Sequence, residues 1–80
     1  MIQLFVLDEV SEPLVRINAK DSEIEKLLPV FVQMINDYPH TEIRIVRGNA
    51  TSCNRFIRQT MTVPLLREVC LMLLRDLSEI

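Results

Sequence analysis

The sequence has no tryptophan, one glycine, one histidine and two cysteines among its 80 residues. A single glycine is too few for a glycine-rich phosphate-binding loop, and one histidine with two distant cysteines matches no common metal-site spacing. No apolar run approaches the roughly 18 residues of a membrane-spanning helix. We therefore expect no metal, no cofactor and no membrane contact, and a cytoplasmic protein with both thiols reduced.

The overall composition is that of a globular protein, with 49% hydrophobic and 25% charged residues and a net charge of −2. Residues 1–80 are too few for two domains, so we predict a single one. A core of this size contributes only about 3–5 kcal/mol of net stability. A second subunit is the expected source of additional stability, which predicts a homodimer.

The first half of the chain predicts a hairpin followed by a helix. Residues 2–7 are apolar on both faces, as in a central strand, and residues 14–18 alternate as a returning strand. The following helix begins at Asp21 or Ser22, where Ser22 and Glu25 fit a capping box. It runs to about Asp37.

In the second half, residues 42–47 alternate as a strand and Gly48-Asn49 predicts a turn. Residues 55–61 fit either a fourth strand or a short helix, and we favour the strand. Residues 63–79 form the last helix, with a proline near its start. The order ββαββα predicts an α+β two-layer sandwich, in which both helices pack on one face of a three- to four-stranded, mostly antiparallel sheet.

The last helix is apolar almost all the way round, and such a helix is buried on every side. In so small a domain, part of that surface is expected to contact another copy or a partner protein. The residues predicted to form this interface are Leu66, Cys70, Leu73, Leu74 and Leu77.

Arginine is concentrated in the second half of the chain. Between Glu42 and Glu68 there are five arginines and no acidic residue, and four of them lie on the predicted hairpin: Arg44, Arg47, Arg55 and Arg58. Guanidinium groups on a β-ribbon suit phosphate or carboxylate binding, which indicates nucleic acid or an acidic protein as partner. The alternative is a solvated sheet face whose arginines pair with nearby acids, and the net negative charge favours it.

An enzymatic function has one candidate nucleophile, Cys53, which would be activated by Arg55 if a helix began at Ser52. No histidine or carboxylate lies near it in sequence to act as a base. We therefore expect a binding protein and not an enzyme.

The stretch Tyr38-Pro39-His40-Thr41-Glu42-Ile43-Arg44-Ile45-Val46-Arg47-Gly48-Asn49-Ala50 resembles the DinI-like family of small bacterial and prophage proteins. The resemblance covers about residues 20–80. It implies a small α+β domain that binds RecA and modulates its filament on DNA. Together with the apolar last helix, it makes a regulatory protein-interaction module the first hypothesis, ahead of nucleic-acid binding through residues 44–58.

Overall fold

The computed structural model describes residues 1–57 and 60–78. The chain forms four strands and two α-helices in the predicted order ββαββα: β1 Ile2–Leu7, β2 Pro13–Ala19, α1 Ile24–Asp37, β3 His40–Arg47, β4 Ala50–Ile57 and α2 Val63–Ser78. A 3-10 turn at Asp21–Glu23 precedes α1. The α+β class and the antiparallel sheet are confirmed.

The four strands form one sheet in the order β2-β1-β3-β4, and every neighbouring pair is antiparallel. Strand β1 therefore lies between β2 and β3, which run parallel to each other. The connection from β2 to β3 through α1 passes over β1. The central position predicted for residues 2–7 is thus confirmed.

The core lies between the helices and one face of the sheet. Alternation along β1 directs Ile2, Leu4 and Val6 to this face, where all three are buried. Helix α1 contributes its residues at spacings of three and four, and α2 does the same: Ile24, Leu28, Phe31 and Ile35 from α1, and Leu66, Cys70, Leu73 and Leu77 from α2. This layer of helices makes the two-layer sandwich.

Two turns connect the strands of the two hairpins, β1–β2 and β3–β4. In the first, the Asp8 carboxylate accepts hydrogen bonds from the backbone N–H groups of Val10 (3.0 Å) and Glu12 (2.9 Å). In the second, Gly48 has a φ of 59°, a left-handed conformation that glycine adopts more readily than other residues. The ambiguous stretch after it is a strand, as favoured, but the strand occupies Ala50–Ile57 and begins five residues earlier than predicted.

The start of α1 differs from the expected capping box. The Glu23 carboxylate, and not that of Glu25, accepts a hydrogen bond, which comes from the Lys20 backbone N–H at 2.9 Å. Glu25 instead pairs with Arg67 of α2.

Pro29 lies inside α1 with its ring exposed, and the helix continues through it to Asp37. In the part of the chain described, neither helix has the length and apolar character needed to cross a membrane.

Candidate binding surface on the open sheet face

Both helices pack on the same side of the sheet, and within residues 1–57 and 60–78 no helix or strand packs on the other side. We call this other side the open face. The strand registers arrange its side chains in three rows across the sheet. The rows are Asn18, Gln3, Val46 and Thr51; Arg16, Phe5, Arg44 and Cys53; and Leu7, Glu42 and Arg55.

The middle row combines an aromatic ring with two guanidinium groups. Phe5 lies on the central strand β1 and is half-buried. The Arg16 guanidinium lies 5.6 Å from the centre of the Phe5 ring, within cation–π range. Arg44 is opposite Phe5 on the other side, on β3. The centre of the open face is therefore an aromatic ring between two cations.

The third row, formed by Leu7, Glu42 and Arg55, contains a buried carboxylate. The side chain of Glu42 is only 8% exposed, and its Oε2 accepts a hydrogen bond from Arg44 Nε at 2.9 Å and forms a salt bridge with Arg44 Nη2 at 2.6 Å. Its Oε1 lies 3.4 Å from Arg55 Nη2. A carboxylate removed from water needs such partners. Glu42 thus neutralises part of the charge of the two arginines and fixes the direction of Arg44.

The structure separates the arginines that the sequence groups together. Arg44 and Arg55 meet at Glu42 on the open face, whereas Arg47 points to the helix side, where its Nη2 lies 2.6 Å from Asp21 Oδ2. Arg58 lies outside the described residues. Of the three described arginines of the predicted ribbon, Arg44 and Arg55 lie side by side on the open face and Arg47 lies on the other side, because alternate residues of a strand face opposite sides of the sheet.

An acidic turn borders the same face. Asp8 and Glu9 of the β1–β2 turn line a shallow cleft of about 320 Å³ together with His40, Thr41, Arg55 and Ile57. Ile57 is 60% exposed, which places a large apolar side chain at the rim. The face therefore combines apolar, cationic and anionic groups.

Cys53 is exposed at the end of the middle row, opposite Arg44. The only histidine, His40, is opposite Ile57, four positions along β4 from Cys53. At about 3.3 Å per residue this separation is roughly 13 Å, too long for a thiol–imidazole hydrogen bond. Among the described residues, no group of three metal-ligating side chains comes together either.

The residues predicted to form a subunit interface lie elsewhere. Leu66, Cys70, Leu73 and Leu77 are buried in the core of their own chain, and Leu74 is partly buried against it. The four buried residues contact α1 and the sheet, so they have almost no surface to offer a second subunit. The large apolar residues of α2 that are exposed are Leu65, Leu71 and Met72.

Sequence reasoning missed Phe5 and Arg16 as neighbours of Arg44. The alternation of residues 14–18 indicates that Arg16 points away from Val15 and Ile17. Phe5 and Arg16 come close to Arg44 only because β1 pairs with both β2 and β3.

In comparisons with models of known protein families, with curated proteins and with solved structures, nothing matches this chain. The resemblance to the DinI-like family over about residues 20–80 therefore stays a prediction from the sequence.

Proposed function

We propose that the protein is a non-enzymatic regulatory module that binds another protein through the open sheet face. The observation that carries the proposal is the uncovered sheet face, with Phe5 at its centre and arginines around it. Protein interfaces are enriched in aromatic residues and arginine and depleted in lysine. The three rows of this face contain three arginines, one phenylalanine and no lysine.

The charge distribution supports a protein partner over nucleic acid. Glu42 is paired with Arg44 and Arg55, so their charge is only partly available to phosphates. Asp8 and Glu9 lie beside Arg55 and would repel a polyanion. The net charge of −2 adds to this repulsion.

A second candidate is binding of single-stranded nucleic acid, and the middle row is the observation that favours it. A ring flanked by the guanidinium groups of Arg16 and Arg44 offers one base a stacking surface and its phosphates two cations. With one aromatic residue on the three rows, this platform would hold one base, fewer than single-strand binders usually stack.

The resemblance of residues 38–50 to the DinI-like family makes a RecA-type filament the first partner to test. The same proposal places the protein in the cytoplasm. The exposed thiol of Cys53 and the buried thiol of Cys70, which are not joined in a disulfide, agree with a reducing compartment.

The test is binding to a RecA filament assembled on single-stranded DNA, measured by co-sedimentation. We expect the chain to bind, and Arg16→Glu and Phe5→Ala to abolish binding while circular dichroism shows that both variants remain folded. Lys26→Glu is the control, because Lys26 is an exposed residue of α1, away from the open face. It makes the same charge change as Arg16→Glu, and we expect this variant to bind like the wild type. Absence of wild-type binding rejects this partner.

Fluorescence anisotropy with labelled single- and double-stranded DNA and RNA, at several salt concentrations, tests the second candidate. Under the first proposal we expect no tight binding even at low salt. Steeply salt-dependent affinity that is lost when Phe5→Ala and Arg16→Ala are combined would replace the protein partner by nucleic acid.

A further inference from the structure

Helix α2 has a second patterned face, opposite the one that enters the core. This face consists of four residues that follow one another at spacings of three, one and three positions, so they lie on one side of the helix. They are Glu68, Leu71, Met72 and Arg75, and all four are exposed. We call these four residues the outer face of α2.

The centre of the outer face is apolar. Leu71 is 57% exposed and Met72 38% exposed. With Val69 and the two charged residues they line a shallow depression of about 420 Å³. Two adjacent exposed apolar side chains between an acid and a base form a small but organised patch, distinct from the open sheet face.

The outer face is complementary to itself. If two α2 helices pack antiparallel around a two-fold axis between Leu71 and Met72, residues whose numbers are equally distant from that midpoint face each other. Glu68 of one copy then meets Arg75 of the other, twice by symmetry, and the two apolar pairs meet at the centre. A parallel arrangement would instead oppose Glu68 to Glu68, which is unfavourable.

The midpoint also suits the length of the helix. Helix α2 has 16 residues and is about 24 Å long, and the Leu71–Met72 midpoint lies within one residue of its centre. Two copies therefore overlap over nearly their whole length.

We propose that the outer face of α2 is the interface of an isologous, antiparallel homodimer, with a second copy of this chain as its occupant. The core stays closed, because Leu66 and Leu73 face the opposite way. Contact between the helical layers leaves both open sheet faces directed outwards. The dimer would thus present two copies of the proposed binding surface and bind repetitive partners with avidity.

Analytical ultracentrifugation of the purified chain, from low to high micromolar concentration, tests the dimer. One helix pair buries less than the roughly 1,600 Å² of a standard interface, so we expect a micromolar dissociation constant. Glu68→Arg and Arg75→Glu each turn two attractive contacts into two repulsive ones. Each is expected to weaken the dimer about tenfold or more. Leu71→Asp is expected to abolish it.

The decisive result is rescue. Mixing the Glu68→Arg chain with the Arg75→Glu chain restores opposite charges at both contacts, as does combining both substitutions in one chain, so a dimer is expected to reappear in each case. Glu12→Arg and Lys26→Glu provide the matching charge changes on other exposed positions and are expected to leave the dimer unchanged. All variants are checked for folding by circular dichroism.

A chain that stays monomeric at high micromolar concentration overturns the proposal and leaves the outer face to a different protein. A dimer that survives Glu68→Arg and Leu71→Asp also overturns it, because its interface would then lie elsewhere. Charge-reversed chains that fail to rescue each other reject the antiparallel arrangement.

Discussion

The side-chain amide of Asn36 forms two hydrogen bonds with the backbone of Met61. Its Nδ2 donates to the Met61 carbonyl oxygen at 2.9 Å, and its Oδ1 accepts from the Met61 N–H at 2.6 Å. Asn36 lies in the last turn of α1, and Met61 lies in the connection between β4 and α2. This pair joins two segments 25 residues apart and holds the Met61 side chain in the core, where it is 2% exposed.

We expect Asn36→Ala to lower the free energy of unfolding by about 1–3 kcal/mol, because it removes two hydrogen bonds and leaves two backbone groups of Met61 unpaired. Asn36→Asp keeps the acceptor but turns a carboxylate oxygen towards the Met61 carbonyl oxygen, so near neutral pH it should destabilise at least as much as Asn36→Ala. Urea unfolding followed by circular dichroism measures both. Gln33→Ala, on an exposed part of the same helix, is the control. Equal effects of Gln33→Ala and Asn36→Ala would show that the pair contributes nothing.

Leu65 and Leu66 are adjacent in α2 but differ in environment, since Leu65 is 37% exposed and Leu66 is fully buried. Leu66→Ala should cost about 2–5 kcal/mol, most of the stability of a domain this small. The milder Leu66→Val keeps the variant measurable if Leu66→Ala does not fold. Leu65→Ala should cost less than about 1 kcal/mol. The comparison is again made by urea unfolding, and similar costs at the two positions would contradict the observed orientation of α2.

Acid should weaken the contact between the two helices. Arg67 Nε donates to both Glu25 oxygens, at 3.0 and 3.1 Å, and these hydrogen bonds hold the pKa of Glu25 below its ordinary value of 4.5. An acid with a lowered folded-state pKa stabilises the fold above its unfolded pKa, and this contribution is lost as the pH falls through the lowered value. Because both side chains are more than a third exposed, the effect is small.

Melting temperatures of the wild type and Glu25→Gln, measured from about pH 7 to about pH 3, test this expectation. We expect the variant to melt lower near neutral pH and the two curves to converge in acid. Glu9→Gln, which removes a carboxylate without an ion pair in the described part of the chain, should follow the wild type throughout. Curves for Glu25→Gln and the wild type that stay parallel would show that the ion pair does not contribute.

The two thiols should differ in reactivity. Burial raises the pKa of Cys70 to about 11, and the Cys70 side chain is closed off in the core, whereas Cys53 is exposed on the sheet. Alkylation near neutral pH should label one thiol in the folded protein and two in urea, and Cys53→Ser should remove the first label. Labelling of Cys53 much faster than a free cysteine peptide would favour an enzymatic role for it. Fast labelling of Cys70 would contradict its burial.

Most of the fold could be predicted from local sequence patterns. Residues 2–7 are apolar without interruption and residues 14–18 alternate, while the apolar residues of α1 recur every three or four positions. Periodicity of this kind depends only on the geometry of one strand or one helix. The predicted start of β4 is too late because Ala50, Thr51 and Ser52 are small or polar residues, and their strand conformation depends on pairing with β3.

The binding surface could be predicted only in part. The sequence showed that Arg44 and Arg55 belong to one hairpin, but not that Glu42 would lie between their guanidinium groups. Phe5 and Arg16 lie far from Arg44 in sequence. They join it because β1 pairs with both β2 and β3, and this pairing is chosen by the packing of the whole domain.

The sequence by itself determined the elements, their order and the two-layer class, because hydrophobic periodicity and turn residues act locally. Only the tertiary structure decided the strand order and which side of α2 is buried. That helix is apolar on most of its surface, so its own pattern leaves several orientations open. Contact with α1 and the sheet selected the side of Leu66 and Leu73 and left Leu71 and Met72 exposed, because burying one side of a helix in a two-layer fold leaves the opposite side to solvent or to another molecule.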